Sequence, residues 1–262
     1  MKQNLIILAI AILLGASCTS QKKLAYLNNL PETNGEEYFT MSVPNYKIQP
    51  RDILYISARA MNPDGVISDF LSGGKVISGS TSMQYESSQY ISGYDVDSKG
   101  YITLSVLGEF KAEGLTLEEL RDSLQIKVEK DYPNSTVECK LLSFKFTVIG
   151  EIRAPGTYIN YNNYLTVLEA IGRAGGIGDY GRKDNVLVVR PTDKGTKTYR
   201  INMQDKQILK SEAYFLLPND VVIVEAEPHK IFNMNLPTIS FALTTVTSII
   251  TTTLLLINFL GK

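Results

Sequence analysis

The sequence is poor in the residues that most often build chemical sites. Its 262 residues include two cysteines, one histidine and no tryptophan. Cys18 ends an apolar leader, so Cys139 alone remains for the folded part and no disulfide framework is available. A P-loop, a G-x-S-x-G nucleophile motif and a metal-spaced Cys/His set are also missing. The sequence therefore predicts no enzyme, no catalytic residue, no cofactor and no bound metal.

The chain also lacks a charge excess of either sign. It carries 26 basic and 27 acidic side chains, for a formal net charge of −1. Such a balance creates no overall field that would attract a polyanion. We therefore expect no nucleic-acid partner.

One glycine-rich stretch, "GIGDYG" from Gly176 to Gly181, matches the G-x-G-x-x-G pattern. A dinucleotide fingerprint must follow a strand and open a helix. This stretch follows a predicted helix and precedes a predicted strand. The pattern therefore indicates a helix-terminating loop and not a nucleotide site.

The N-terminus has the pattern of an export signal. Lys2 precedes the apolar run Leu5–Leu14, which is too short to span a membrane, and "GASC" follows. Small residues before Cys18 resemble a bacterial lipobox, with Gly15 in place of the usual leucine. We expect residues 1–17 to be a lipoprotein signal peptide, Cys18 to be lipidated and 18–45 to form a tether with an ordered piece near "YFTMSV". Ordinary cleavage that leaves a free Cys18 thiol is the alternative.

Two segments far apart share one local pattern. "YKIQPRDILYI" and "LLPNDVVIVEA" each place a proline two residues before an aspartate and a strand-like run after it. Both predict a strand, a tight turn and a second strand. Asp52 and Asp220 are expected to accept backbone N–H bonds within their own turns and to have no catalytic role.

Between these segments lie two predicted helices with matching starts. Thr116 with Glu119, and Thr166 with Glu169, have capping-box spacing. Strand-like runs surround both helices, so the fold class is α+β. Cys139 alternates within one of these runs and is expected to pack as a small apolar side chain. Gly156 is expected at a turn with positive φ, and Gly172 is expected to let its helix lie close to a sheet.

Several of these segments together resemble one family. "YKIQPRDILYI" and the stretch "YDVDSKGYITLSVLGEF" through "STVEC" are similar to the export domain of Wza-type outer-membrane polysaccharide export lipoproteins. "FTVIGEIRAPGTYINYNNYLTVLEAIGRAGGIGDYGRKDNVLVVRP" resembles the soluble-ligand-binding (SLBB) β-grasp module that follows that domain. The resemblance departs at Arg51, where glycine is usual, and at Ser105, where proline is usual. It implies an export domain over 46–143 and a β-grasp domain over 144–228.

The resemblance also implies how such a protein works. The modules would face one another in an octamer-like ring of identical subunits, with function in the assembly and its central passage. The partners would be a polysaccharide, the outer membrane and an inner-membrane polysaccharide co-polymerase or tyrosine autokinase. The body would lie in the periplasm. An insert loop over 69–94 is expected to be mobile or, alternatively, to contact polysaccharide through Tyr85, Tyr90 and Tyr94.

The C-terminal segment, 229–262, contains an uncharged stretch that is long enough to cross a bilayer. Nine of the 24 residues Pro237–Leu260 are Ser or Thr. On a helical wheel at about 100° per residue, most hydroxyls fall on one half and most aliphatic side chains on the other. The resemblance implies a ring of such helices, with lipid outside and water within. The predicted pore-lining residues are Ser240, Thr244, Thr247, Ser248, Thr251 and Asn258.

The sequence thus predicts a ring-forming outer-membrane pore lipoprotein that exports capsular or extracellular polysaccharide. Hydroxyls also bond to a helix's own carbonyls, so a lone helix tolerates them. A membrane-tethered periplasmic glycan-binding or scaffold protein with a single-pass anchor is therefore the alternative. An enzyme that acts on glycans has less support because no acid/base pair is evident.

Overall fold

The structure is a computed structural model that describes residues 25–31, 35–61, 65, 67–71, 93–192 and 194–260. Within those residues it is an α+β protein that ends in a long helix, which confirms the predicted fold class. Two hydrophobic clusters of buried side chains form separate cores, one in each half of the body. None of the described side chains of the long helix is buried in either cluster.

The first half of the body is built around one central strand. Its elements are β1 (Ile53–Met61), β2 (Ile67–Asp69), β3 (Tyr94–Asp95), β4 (Tyr101–Leu104), β5 (Gly108–Lys111), α1 (Leu117–Asp131) and β6 (Thr136–Leu141). Strand β1 pairs antiparallel with β2, β3 and β6, whereas β4 and β5 form a hairpin. Helix α1 buries Leu120, Leu124 and Val128, which lie three or four residues apart and therefore share one face.

The second half of the body contains a five-stranded sheet. Its elements are β7 (Lys145–Gly150), β8 (Gly156–Ile159), α2 (Val167–Arg173), β9 (Gly181–Thr192), β10 (Gly195–Ile201), a 3₁₀ helix (Lys206–Lys210) and β11 (Val221–Ala226). The strand order is β10-β9-β11-β7-β8, and β11 runs parallel to β7 but antiparallel to β9. Helix α2 buries Val167, Ala170 and Ile171 in the core of this half.

Both predicted helix starts are confirmed. The Thr116 hydroxyl accepts the Glu119 N–H at 3.2 Å, and the Glu119 carboxylate accepts the Thr116 N–H at 2.8 Å. Thr166 and Glu169 make the same reciprocal bonds at 3.2 and 2.8 Å. Each box satisfies two backbone donors that a helix leaves open at its first turn.

The two aspartate turns are also confirmed, but only one side of each is a strand. Asp52 Oδ2 accepts the Gln49 N–H, and Asp220 Oδ2 accepts the Leu217 N–H. β1 and β11 follow these turns, whereas the residues before each turn form no strand, contrary to the prediction. Those residues are held by other bonds, such as Ile48 N–H to Leu115 O and Leu216 N–H to Leu165 O, and not by a continuous ladder.

The turn geometry explains why glycine is the usual residue before Asp52, where this chain has arginine. Arg51 has φ of +75°, and Asn219 holds the equivalent position with φ of +66°. With proline before them, both residues occupy the third position of a type II-like turn, which favours glycine or asparagine. Arginine at this position costs about 1 kcal/mol or more relative to glycine, because its Cβ crowds the backbone.

Two glycine predictions need correction. Gly156 does not have positive φ and begins β8; Gly150 has it instead, at +96°. A Cβ on Gly150 would lie 2.0 Å from the Val224 carbonyl oxygen, so the β7–β11 contact requires glycine there. The predicted close approach of a sheet to Gly172 is also wrong, since a Cβ there would meet no atom within 4 Å.

The ordered part of the tether lies earlier than predicted. Residues 25–31 bind the second half of the body, through Leu27 N–H to Met203 O and Asn28 N–H to Gln204 O. By contrast, the "YFTMSV" stretch has no regular secondary structure, and Tyr38 is 88% exposed. Glu37, next to that stretch, forms an ion pair with Lys206 in the second half of the body.

Candidate functional site

The C-terminal helix α3 (His229–Leu260) is the candidate membrane element. Its 32 residues extend about 48 Å at 1.5 Å per residue. Among the described residues, one helix is long and apolar enough to cross a membrane, and its candidate span is Met234–Ile257 within α3. That length of 24 residues matches the hydrocarbon thickness of a bilayer.

Aliphatic side chains of α3 are exposed along the face that the wheel assigns to lipid. The exposed fractions are 61% for Leu243, 53% for Val246, 61% for Ile249 and 54% for Ile250. A row of exposed aliphatic side chains is unfavourable in water and marks a surface that contacts lipid or protein. The other face is mixed, since Phe241 and Leu255 are also exposed there.

The hydroxyls of α3 bond to their own helix. The Ser and Thr hydroxyls at 240, 244, 245, 247, 251, 252 and 253 each donate to a carbonyl three or four residues earlier. These bonds satisfy the hydroxyl protons and leave oxygen lone pairs free to accept. These seven hydroxyls therefore need no partner helix, and their presence alone does not separate a pore from an anchor.

The predicted pore-lining residues all fall within α3. Ser240, Thr244, Thr247, Ser248 and Thr251 are exposed. The side chain of Asn258 lies outside the described residues. Pro237 lies inside the helix, and the Ser240 hydroxyl bonds to its carbonyl at 2.9 Å. Proline removes one N–H donor from the helix and so weakens it where the candidate span begins.

The base of α3 is attached to the body at two points. The Lys230 ammonium of α3 bonds to the Glu151 carboxylate, which lies between β7 and β8. Glu227, two residues before α3, donates its N–H to Tyr180 O at 2.7 Å, in the loop that contains "GIGDYG". This loop follows α2 and leads into β9, as predicted for a helix-terminating loop. Glu151 and Lys230 are 79 residues apart, and no local sequence signal indicated their contact.

The N-terminal segment reaches the same loop. The Tyr26 hydroxyl accepts the Ile177 N–H at 3.4 Å, and the Lys183 ammonium lies 5.9 Å from the centre of the Tyr26 ring. Cys18 itself lies outside the described residues. Six residues lie between Cys18 and Ala25, so their Cα atoms are at most about 25 Å apart. The lipidation candidate and the membrane helix are therefore connected to one edge of the body.

Cys139 packs as predicted. It is partly buried in β6 and contacts the first hydrophobic cluster. Burial raises the pKa of its thiol to about 12. The thiolate is the reactive form of cysteine, so Cys139 is unreactive at neutral pH.

Of the three tyrosines predicted to contact polysaccharide, Tyr94 is the one that lies among the described residues. Tyr85 and Tyr90 lie outside the described residues. Tyr94 belongs to the sheet, because it pairs with Leu54 in β1 and its hydroxyl donates to Leu71 O. Asp69, the other end of the predicted insert, lies in β2. The loop is therefore shorter than 69–94, and the side chain of Tyr94 is engaged in holding its base.

The buried carboxylates have structural partners. Asp52 is bonded by the Tyr46 hydroxyl, the Ser143 hydroxyl and the Gln49 N–H, and its burial raises its pKa. Asp220 binds Arg190 through bonds of 2.7–3.1 Å. In the described residues no three His, Cys, Asp or Glu side chains are grouped as metal ligands.

Comparison with known proteins identifies both halves of the body. The polysaccharide biosynthesis/export protein family matches residues 41–141, and the SLBB domain matches 144–224. The chain has the domain pair of a Wza-type export protein. The export domain thus contains β1–β6 with α1, and the SLBB domain contains β7–β11 with α2.

Two curated relatives are similar to the chain over about half its length. The EPS I polysaccharide export outer membrane protein EpsA of Ralstonia nicotianae is 30% identical over 147 residues, and that of Ralstonia solanacearum is 28% identical over 149. Each alignment covers 54% of this chain and 38% of the relative. The chain therefore matches well under half the length of these relatives.

Proposed function

We propose that the protein is a ring-forming outer-membrane lipoprotein pore that exports capsular or extracellular polysaccharide. The observation that carries this proposal is the order of its parts, an export domain, an SLBB domain and then an exposed membrane-length helix with an aliphatic face. The relatives are named as polysaccharide export outer membrane proteins. A ring would place the aliphatic face against lipid and the hydroxyl face around water.

A neutral hydroxyl lining suits the passage of a hydrated polymer. Each back-bonded hydroxyl still has an oxygen that accepts hydrogen bonds from water or from sugar hydroxyls. Such contacts are weak and repeated, and conduction requires binding that is weak enough to permit exit. An uncharged lining also avoids strong attachment of an acidic polymer.

The membrane attachments support one orientation. Residues 25–31 and Glu227, two residues before α3, contact the same loop, so a lipid on Cys18 and the helix would enter one membrane from one edge of the body. We place the lipid in the inner leaflet of the outer membrane and both domains in the periplasm. One acyl chain anchors only marginally, and the helix makes the attachment firm. The inner-membrane partner would be a polysaccharide co-polymerase or tyrosine autokinase.

The alternative is a periplasmic glycan-binding or scaffold protein on a single-pass anchor. The back-bonding of the α3 hydroxyls is the observation that favours it, because a lone helix then carries no unsatisfied donor among these side chains. An anchor needs no ring, whereas a pore does. The two functions therefore predict different export of polysaccharide when α3 is replaced by another membrane helix.

Deletion of residues 237–262 is expected to leave a folded body and to trap polymer inside cells. The body should fold because none of the described side chains from residue 237 onward is buried in either core. Circular dichroism of the purified variant and the ratio of surface to periplasmic polysaccharide would be measured. The matched control replaces residues 237–260 by a leucine–alanine helix of equal length, which restores an anchor without a hydroxyl face. Normal surface polysaccharide in that control would contradict the pore and support the scaffold.

Thiol counting tests the lipid. The native protein at pH 8 should show no thiol reactive toward iodoacetamide, and the denatured protein should show one. A pKa of about 12 leaves Cys139 with about a thousandfold less thiolate than an ordinary cysteine, whose value is 9.0. A lipidated Cys18 has no free thiol at all. Labelling that persists in Cys139→Ser would show that Cys18 is free and that the lipid assignment is wrong.

A further inference from the structure

A cleft between the export and SLBB domains is not used by the proposed pore. We call it the aromatic cleft. Its lining residues come from the segment before β1, the start of α1, the end of β6 with the linker after it, and two loops of the SLBB domain: Pro44, Tyr46, Leu117, Lys140, Leu141, Phe144, Tyr161, Asn162, Asn163, Tyr164 and Phe215–Pro218. Its enclosed part measures about 70 Å³, which holds a few water molecules. A larger ligand would therefore lie across its mouth.

A buried amide fixes the loop at the mouth of the cleft. Asn160 is 1% exposed, and its Nδ2 donates to Asn162 O at 2.7 Å and to Tyr164 O at 3.3 Å. The Arg173 guanidinium of α2 donates to Asn160 Oδ1 at 3.1 Å. This network holds the backbone of residues 160–164 in one shape. The side chains that the loop presents are therefore positioned before any ligand arrives.

The loop presents two tyrosines with two amides between them. Tyr161 is 64% exposed and Tyr164 is 51% exposed. Phe215 meets the Tyr164 ring edge to face at a centroid distance of 6.1 Å, which fixes that ring and leaves it half exposed. Asn162 and Asn163 are exposed, and each amide offers both donors and an acceptor.

This combination fits a carbohydrate. Sugar rings have C–H faces that pack on aromatic rings, and their rims carry neighbouring hydroxyls that pair with the donor and acceptor of an amide. Among the described residues that line the cleft, Lys140 is the one ionisable group other than tyrosine, and no carboxylate is present. The lining itself therefore places no carboxylate against an acidic sugar, and the nearby Glu138 is paired with Lys140 at 2.7 Å.

We propose that the aromatic cleft is a carbohydrate subsite that binds pyranose units of the exported polymer through Tyr161, Tyr164 and the two amides. The proposal rests on the proposed function for the identity of the polymer. It adds a contact outside the membrane helix, at the junction of the two periplasmic domains. A second copy of the chain is the other candidate occupant, and the test separates the two.

The absence of tryptophan from the chain provides a direct probe. In the full-length detergent-solubilised protein, Tyr161→Trp introduces a single indole at the cleft. Oligosaccharides prepared from the surface polysaccharide of the source cells are expected to shift its emission in a saturable way. The control is Tyr101→Trp, on β4 and 38% exposed, which should show no shift.

Two alanine substitutions measure how much individual side chains contribute to the binding affinity. Tyr164→Ala and Asn163→Ala, each in the Tyr161→Trp background, are expected to weaken binding about fivefold each, since one ring or amide contact is lost. The control Tyr38→Ala removes an exposed tyrosine elsewhere and should have no effect. Oligomer size on a sizing column should stay unchanged.

The results of this binding test can be distinguished from the results of the export test of the pore. A saturable shift at residue 161 that is weakened by the two truncations supports the subsite, whatever the export assay gives. An emission that changes with protein concentration and not with oligosaccharide would assign the cleft to a subunit contact and overturn the proposal. The absence of any shift with either would overturn it too. Loss of export in the helix-exchange control, by contrast, concerns the pore alone.

Discussion

Ile250→Glu is expected to abolish stable insertion or assembly, whereas Thr251→Glu is expected to insert, assemble and alter export. Ile250 is 54% exposed within the aliphatic face of α3, where a ring places lipid. A carboxylate near the bilayer centre costs about 2.5–3.5 kcal/mol by insertion measurements, and every subunit of the ring incurs this cost. Thr251 lies on the hydroxyl face, where the same carboxylate stays in water.

The cost at Thr251 is of another kind. In a ring, the introduced carboxylates repel one another across the lumen, and salt screens this repulsion. Thr251→Glu also loses the hydroxyl bond to Thr247 O, which is one of several such bonds along the helix. Export of an acidic polymer should therefore fall most, because the lining becomes anionic while the ring persists.

Membrane-fraction yield and detergent-stable oligomer measure the difference between the two variants. Ile250→Gln and Thr251→Gln serve as matched uncharged controls. A single helix surrounded by lipid would penalise both glutamates about equally, so equal loss would favour the anchor. If Thr251→Glu failed while Ile250→Glu assembled, the assignment of the two faces would be reversed.

The features that the sequence predicts well are those that neighbouring residues determine. Each capping box needs two side chains three residues apart, and each aspartate turn needs a proline and a carboxylate within four residues. The face of α1 follows from a spacing of three and four residues. Such local constraints survive in almost any tertiary setting, and the predicted α+β class follows from them.

The features that the sequence did not predict depend on contacts between distant segments. Residues 25–31 bind a loop about 175 residues later, as in the bond from Asn29 Nδ2 to Asp205 Oδ1. The strand-like residues before Asp52 and Asp220 have the right composition but find no partner strand. Alternation predicts extended backbone, and only pairing makes a strand.

The candidate site divides in the same way. Composition and the helical wheel locate the membrane helix and its two faces, because both are properties of one segment. They do not reveal that its hydroxyls bond to its own carbonyls. They also do not reveal that Glu227, just before the helix, and Tyr26 contact the same loop. The aromatic cleft could not be predicted from the sequence either, because its lining combines segments of both domains.

Asp220→Ala is expected to destabilise the SLBB domain by about 3–5 kcal/mol, the usual cost of leaving a buried ion unpaired. Asp220 is fully buried, and the Arg190 side chain is 9% exposed. Burial lowers the pKa of Arg190, but its bonds to Asp220 outweigh this and raise it overall. Removal of Asp220 takes away the contacts that raise this pKa, but the guanidinium stays charged because the ordinary pKa of arginine lies far above neutral pH.

The matched control is Asp52→Ala, because Asp52 accepts the same turn bond but has hydroxyl partners and no cation. Its loss should cost about 1–3 kcal/mol. Arg190→Met in the Asp220→Ala background should recover part of the stability, since both charges are then gone; recovery is incomplete because Arg190 also donates to Phe215 O. Denaturant unfolding followed by near-ultraviolet circular dichroism measures all four proteins. Equal losses of stability for the two alanine variants, with no recovery in the double variant, would contradict this prediction. Asp220 would then act through its turn alone, and its ion pair with Arg190 would add nothing to the stability of the SLBB domain.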